Sequence, residues 1–136
     1  MATVERFEDL EVWQRARRLA NLIYDFTEVE VFKRDFSLRD QIRRAAISIL
    51  SNIAEGFESR TQVMFIEYLG RAKASSGELR AQLYLVFDRK YISQDQFEKT
   101  VDEAHICSRQ IASLSRYLES KPNAHRIREE GSSYDV

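Results

Sequence analysis

The sequence predicts an all-α fold, an antiparallel up-down-up-down four-helix bundle. Three observations point there. Four long segments repeat apolar residues three or four positions apart, the spacing of one face of a helix. Two of the three connections are very short, which folds successive helices back on one another. Gly (4) and Pro (1) are scarce among 136 residues, whereas a domain of many short strands needs many turns rich in both.

The first helix is expected over about 8–27, with Leu10, Trp13, Ala16, Leu19, Ala20, Ile23 and Phe26 as its apolar row. Glu8, Asp9 and Glu11 fall in its first turn, where the helix dipole favours anions. A polar, basic and aromatic connection occupies 28–36. The second helix is expected over about 38–55, capped by Ser37 with Asp40 in a capping-box-like position, and ended by Gly56. Its row is Leu38, Ile42, Ala45, Ile49 and Ile53.

The third helix, 62–88, follows a short turn and takes Thr61 as N-cap. Phe65, Leu69, Ala72, Ser76, Leu79, Leu83 and Val86 form its row. Ser75, Ser76 and Gly77 are small neighbours in mid-helix, and they predict a close approach by a facing helix near Ala45 and Ala46. The fourth helix, 94–119, takes Ser93 and Gln96 as a capping box. Its seam is Phe97, Val101, Ala104, Cys107, Ile111, Leu114 and Leu118. Pro122 stops it, so 1–120 reads as one bundle and 121–136 as a polar tail without order.

Two of these helices carry more apolar surface than one bundle needs. On a wheel of about 100° per residue, the row of the second helix fills roughly −20° to +60°. Leu50, Ala54 and Ile47 fall near about 120°, 160° and 180° on that wheel. The apolar sector is about 200° wide, and the first helix spans a similar arc from Leu22 round to Tyr24. A bundle of four has no central helix, so this surplus predicts a homo-oligomer contacting itself through Leu22, Tyr24, Ile47, Leu50 and Ala54.

Charge is balanced overall, with 21 Lys plus Arg against 22 Asp plus Glu, a net of −1. That balance lacks the basic excess typical of tight non-specific nucleic-acid binding. Locally it is uneven. Lys33, Arg34, Arg39, Arg43 and Arg44 gather in 33–44, and Asp95, Glu98, Asp102 and Glu103 in 95–103. Each run reads either as a solvated helix face or, for the basic one, as a contact for a polyanion. Tyr24, Phe32 and Phe36 lie beside the basic run, the one place where exposed rings among cations would form a base-stacking platform.

Catalytic patterns are lacking. His105 and Cys107 are two apart and point about 160° from each other on a helix. Cys107 reads as core filler. Asp102-x-x-His105 is one imperfect half of a di-metal motif that requires two copies. Glu55 and Glu78 read as members of ion pairs, with Arg43, Arg44 or a facing hydroxyl as partners. No phosphate loop or nucleophile motif occurs, so no enzyme activity, cofactor or metal is expected. One cysteine excludes a disulfide framework within the chain. No apolar run is long enough for a membrane span, and residues 1–9 lack an apolar signal core, so a cytoplasmic location is expected.

Several runs resemble a known family. They are Phe7-x-x-Leu10-x-Val12-Trp13-Gln14, Gln41-x-x-Arg44-Ala45-Ala46-x-Ser48-Ile49 and Asn52-Ile53-Ala54-Glu55-Gly56-Phe57. Phe65-Ile66-x-Tyr68-Leu69-x-x-Ala72 and Ser76-x-Glu78-Leu79-x-x-Gln82-Leu83 continue the series. Together they are similar to the four-helix-bundle proteins encoded by intervening sequences of 23S rRNA genes. The resemblance implies a cytosolic bundle that assembles as a ring-like homopentamer without known enzymatic activity. A related branch includes the accessory protein of diversity-generating retroelements, which binds a reverse transcriptase and nucleic acid. That branch is basic, and this chain at −1 departs from it. Met64 stands where family members often carry a Glu that would complete a capping box with Thr61. Two functional expectations result: a non-catalytic oligomeric scaffold binding a protein partner, or a nucleic-acid-binding accessory protein.

Overall fold

The computed structural model describes residues 2–121 and 127–129. Five helices carry the fold: α1 Glu11–Thr27, α2 Glu30–Lys33, α3 Phe36–Glu58, α4 Gln62–Asp88 and α5 Gln94–Ser120. The four long ones form the expected antiparallel bundle. Each packs against two neighbours in the cyclic order α1, α3, α4, α5. A short strand β1, Ala2–Val4, pairs antiparallel with β2, Ile127–Glu129. The expectation of an unordered tail therefore does not hold at 127–129, while 122–126 and 130–136 lie outside the described residues.

The apolar rows become the core. Every residue expected in the rows of α3 and α4 is buried, Ser76 included. In α5 the seam is buried from Ala104 to Leu118, with Phe97 and Val101 packed on its edge. Trp13 is half-buried against the core, and Val12, outside the expected row, is fully buried in its place.

Three helix ends differ from expectation. α1 starts at Glu11, because Phe7–Asp9 forms a separate 3-10 turn and Leu10 is extended. α3 starts at Phe36, because Asp35 accepts from the Leu38 amide at 3.2 Å and takes the capping role expected of Ser37. α3 also runs past Gly56 to Glu58, so Gly56 does not end it. A Cβ on Gly56 would stand 2.8 Å from Phe65 Cδ1 and 2.9 Å from Tyr68 Cβ. This glycine is where α3 and α4 touch. The same addition at Gly77 meets nothing closer than Arg80 Nη2 at 3.9 Å, so the close approach is not at Gly77.

The small residues beside Gly77 serve another purpose. Ser75 and Ser48 share a hydroxyl hydrogen bond of 2.8 Å between α4 and α3. The buried Ser76 hydroxyl donates to the Ala104 carbonyl of α5 at 3.1 Å. The caps at Thr61 and Ser93 form as expected, Ser93 with Gln96 as a full capping box. At the end of the bundle where α3 begins, α2 inserts Phe32 into the core and stacks it on Tyr91 at 4.8 Å. Tyr91 donates its hydroxyl to Asp35 at 2.9 Å.

Candidate interaction surface

The residues singled out for function converge on the outward side of α3 and the adjoining edge of α1. An open groove there is lined by Tyr24, Asp40, Arg43, Arg44, Ile47 and Ser48. It joins two members of the apolar surplus to two members of the basic run. Helical spacing explains the grouping. Asp40, Arg43, Arg44 and Ile47 are three or four residues apart and lie opposite the Leu38–Ile42–Ile49 row.

Ile47 is 42% exposed and Tyr24 37%. The other three candidate interface residues are covered more. Leu22 and Leu50 lie partly buried against the core, and Ala54 is half-buried. Leu50 and Ala54 lie on the flank of α3 that carries Arg43 toward α1, whereas Leu22 lies beside Arg15 and Glu11 on the flank of α1 that meets α5, so neighbouring helices shelter them within one chain.

The five basic residues divide. Arg43 donates to the buried Thr27 hydroxyl at 2.7 Å and to Glu28 at 2.7 Å, with its guanidinium 4.4 Å from the centre of the Tyr24 ring. It is a clamp between the end of α1 and α3. Arg39 pairs with Asp40 at 2.9 Å, reaches the Lys33 carbonyl at 3.3 Å and lies over Phe36 at 4.8 Å. Arg34 pairs with Glu30 at 3.1 Å along an exposed helical turn, a pair worth little in water. Lys33 and Arg44 are exposed and have no ion-pair partner among the described residues. The three rings do not act together as a stacking platform: Phe32 is buried and the Arg43 guanidinium lies on Tyr24, while Phe36, with Arg39 over its ring, stays 63% exposed.

The remaining chemistry is dispersed. Cys107 is buried, and burial pushes its thiol up to about 12, with Glu103 adding to the rise and Arg15 opposing it. A thiol held protonated in this way is a poor nucleophile. His105 points away from it and lies exposed, its Nε2 3.3 Å from Arg80 Nη1. Glu55 and Glu78 are exposed, and the pairs expected for them with Arg43 or Arg44 do not form. Glu78 accepts from Gln82 at 3.3 Å, and Arg43 is held by Glu28. Among the described residues no group of three or more His, Cys, Asp or Glu is arranged to hold a metal ion.

Sequence reasoning missed one buried polar network. Gln110, on the apolar side of α5, donates to Glu11 at 3.1 Å and accepts from Arg15 at 3.2 Å. Arg15 also pairs with Glu103 at 2.6 Å. The network fastens α1 to α5. Its signal was a glutamine beside Ile111 in an otherwise apolar arc. Ser48 was also missed as a groove residue, and it is held there by Ser75 and Asn52.

No helix among the described residues is long and apolar enough to cross a membrane. No curated protein matches the chain. The fold is similar to a crystal structure, at 1.70 Å resolution, of a protein with unknown function from the S23 ribosomal protein family of Bacteroides thetaiotaomicron. The TM-score is 0.71 at 25% identity, over 77% of this chain and 98% of that one. Residues 8–113, nearly the whole bundle, match the family model described as 23S rRNA-intervening sequence protein. With four long helices in the order and phase that the motif runs require, the chain belongs to the 23S rRNA-intervening sequence protein family.

Proposed function

We infer that the protein is a non-catalytic, self-associating scaffold whose assembled form presents surfaces to a protein partner. The observation that carries this reading is Ile47, which stands 42% exposed in a groove edged by Arg44, on the side of α3 away from its own core. Ile47 shares this groove with Tyr24, and apolar surface that is contiguous, unlike a lone exposed side chain, marks association sites. Dispersal of the titratable groups supports the non-catalytic part, because acid–base or nucleophilic chemistry needs such groups within hydrogen-bond reach.

Sedimentation velocity at micromolar concentration tests it. A mass that is a multiple of 16.0 kDa is expected, and five subunits is the number that the family resemblance implies. Ile47→Asp is expected to raise the concentration needed for assembly by roughly tenfold to a hundredfold, from the ~1.5–3 kcal/mol of burying one such side chain. A 16.0 kDa wild-type species at the same concentration would refute the reading.

The second reading is a nucleic-acid accessory protein. Lys33 and Arg44 favour it, since neither has an ion-pair partner among the described residues. The internal engagements of Arg39 and Arg43 count against it. Forming phosphate contacts there would first cost the intramolecular pairs.

A further inference from the structure

We propose that the copies join head to tail, with the α3 face around Arg44 and Ile47 of one chain seated on the α5 face around Glu98, Asp102 and Ile106 of the next. The proposal rests on the self-association reading and deepens it by naming the two surfaces.

The first argument is position. α3 and α5 occupy opposite corners of the bundle, with α1 between them on one side and α4 on the other. Their outward faces therefore point away from each other, and no single chain can bring them together. Two different surfaces on opposite sides make a heterologous contact, which closes into a ring when its rotation divides a full turn without a rise and otherwise extends as a filament.

The second argument is charge. On α3, Arg44 is exposed without an ion-pair partner among the described residues, and the neighbouring Asp40 is engaged by Arg39. On α5, Glu98 and Asp102 are one turn apart, exposed, and likewise without an ion-pair partner among the described residues. Asp95 is held by Lys99 and Glu103 by Arg15, so these two carboxylates are the ones left for an incoming cation. One turn beyond Asp102 stands Ile106, a half-buried aliphatic on the same face. Each face thus presents charge followed by an aliphatic group.

The third argument is height. α3 and α5 run in the same direction, so in a ring whose axis follows the bundle they meet in parallel. Ser48 touches Ser75, and the next residue, Ser76, touches Ala104, which sets Ser48 and Ala104 level. At 1.5 Å per residue Arg44 lies about 6 Å above that level, between Asp102 at about 3 Å and Glu98 at about 9 Å. Ile106 lies about 3 Å below it, level with Leu50 and within a turn of Ile47. Cation meets anions and aliphatic meets aliphatic without any sliding of one copy along the other.

A mixing experiment tests the pairing. One variant carries Arg44→Glu with Ile47→Asp, the other Glu98→Arg with Asp102→Arg. Circular dichroism serves as the folding control, since all four side chains are exposed. Each variant alone is expected to sediment as a monomer where the wild type assembles. Mixed in equal amounts, they are expected to associate again, because the intact α3 face of one meets the intact α5 face of the other and the two reversed faces once more carry opposite charge. An α5 variant that keeps the wild-type mass, or a mixture that stays monomeric, overturns the pairing while leaving self-association standing. A monomeric wild type overturns both.

Discussion

A close approach between helices falls at Gly56 and open space at Gly77. Gly56 lies where α3 presses on α4, and an added methyl would fall within 3 Å of Phe65 and Tyr68. Phe65 is buried and the Tyr68 Cβ is fixed to the α4 backbone, so the neighbours have little room to yield. Gly56→Ala is expected to lower stability by about 1–3 kcal/mol through overpacking. Gly77 has open space, and alanine there removes the cost of a flexible residue in mid-helix. Gly77→Ala is expected to raise stability by about 0.5–1 kcal/mol. Urea unfolding of the two variants checks both signs. Gly56 reads in the sequence as a helix stop, because a glycine after an apolar row usually is one. The Phe65 ring that occupies the missing Cβ position belongs to another helix, and no local pattern reports it.

Helix ends are decided by competition between neighbouring capping groups. Asp35 and Ser37 are both good caps, and Asp35 prevails because its second oxygen is held by the Tyr91 hydroxyl. That bond ties the start of α3 to the approach to α5, two elements far apart in the chain. Asp35→Ala is expected to cost about 1–2 kcal/mol, whereas Ser37→Ala should change stability by less than about 0.5 kcal/mol. Thermal unfolding of the two alanine variants separates them, and equal losses would contradict the assignment. Where caps have no tertiary competitor, as at Thr61 and Ser93, the local reading holds. The rows of α3 and α4 were legible for a related reason. A strict three-and-four spacing has one low-energy arrangement, with the stripe turned inward.

At the scale of the whole molecule, surface charge governs what the bundle attracts. The net charge is −1, and two of the five clustered cations, Arg39 and Arg43, are held in internal contacts. Binding to RNA or DNA is expected to be undetectable by fluorescence anisotropy at about 150 mM salt, because phosphate contacts carry such affinity. Arg44→Ala with Lys33→Ala is the informative control, since both groups are exposed. Arg43→Ala is not, because it would remove the hydrogen bonds to Thr27 and Glu28 that fasten the end of α1 to α3. Tight binding abolished by the first pair would favour the nucleic-acid reading over the scaffold.

The amino-acid sequence by itself determined the helical class, the four long helices, most of the core and the family, since each rests on periodicity or on contiguous runs of residues. It also singled out Ile47 and Arg44 by their angle on one helix. Tertiary structure alone decided which surplus residues stay uncovered, which arginines are already engaged, and that Arg44 stands level with Glu98 and Asp102 on the opposite side. Burial of a flank and pairing of a charge depend on what a neighbouring helix brings to within a few ångströms. That neighbour is set by packing across the bundle, and a single helix carries no record of it.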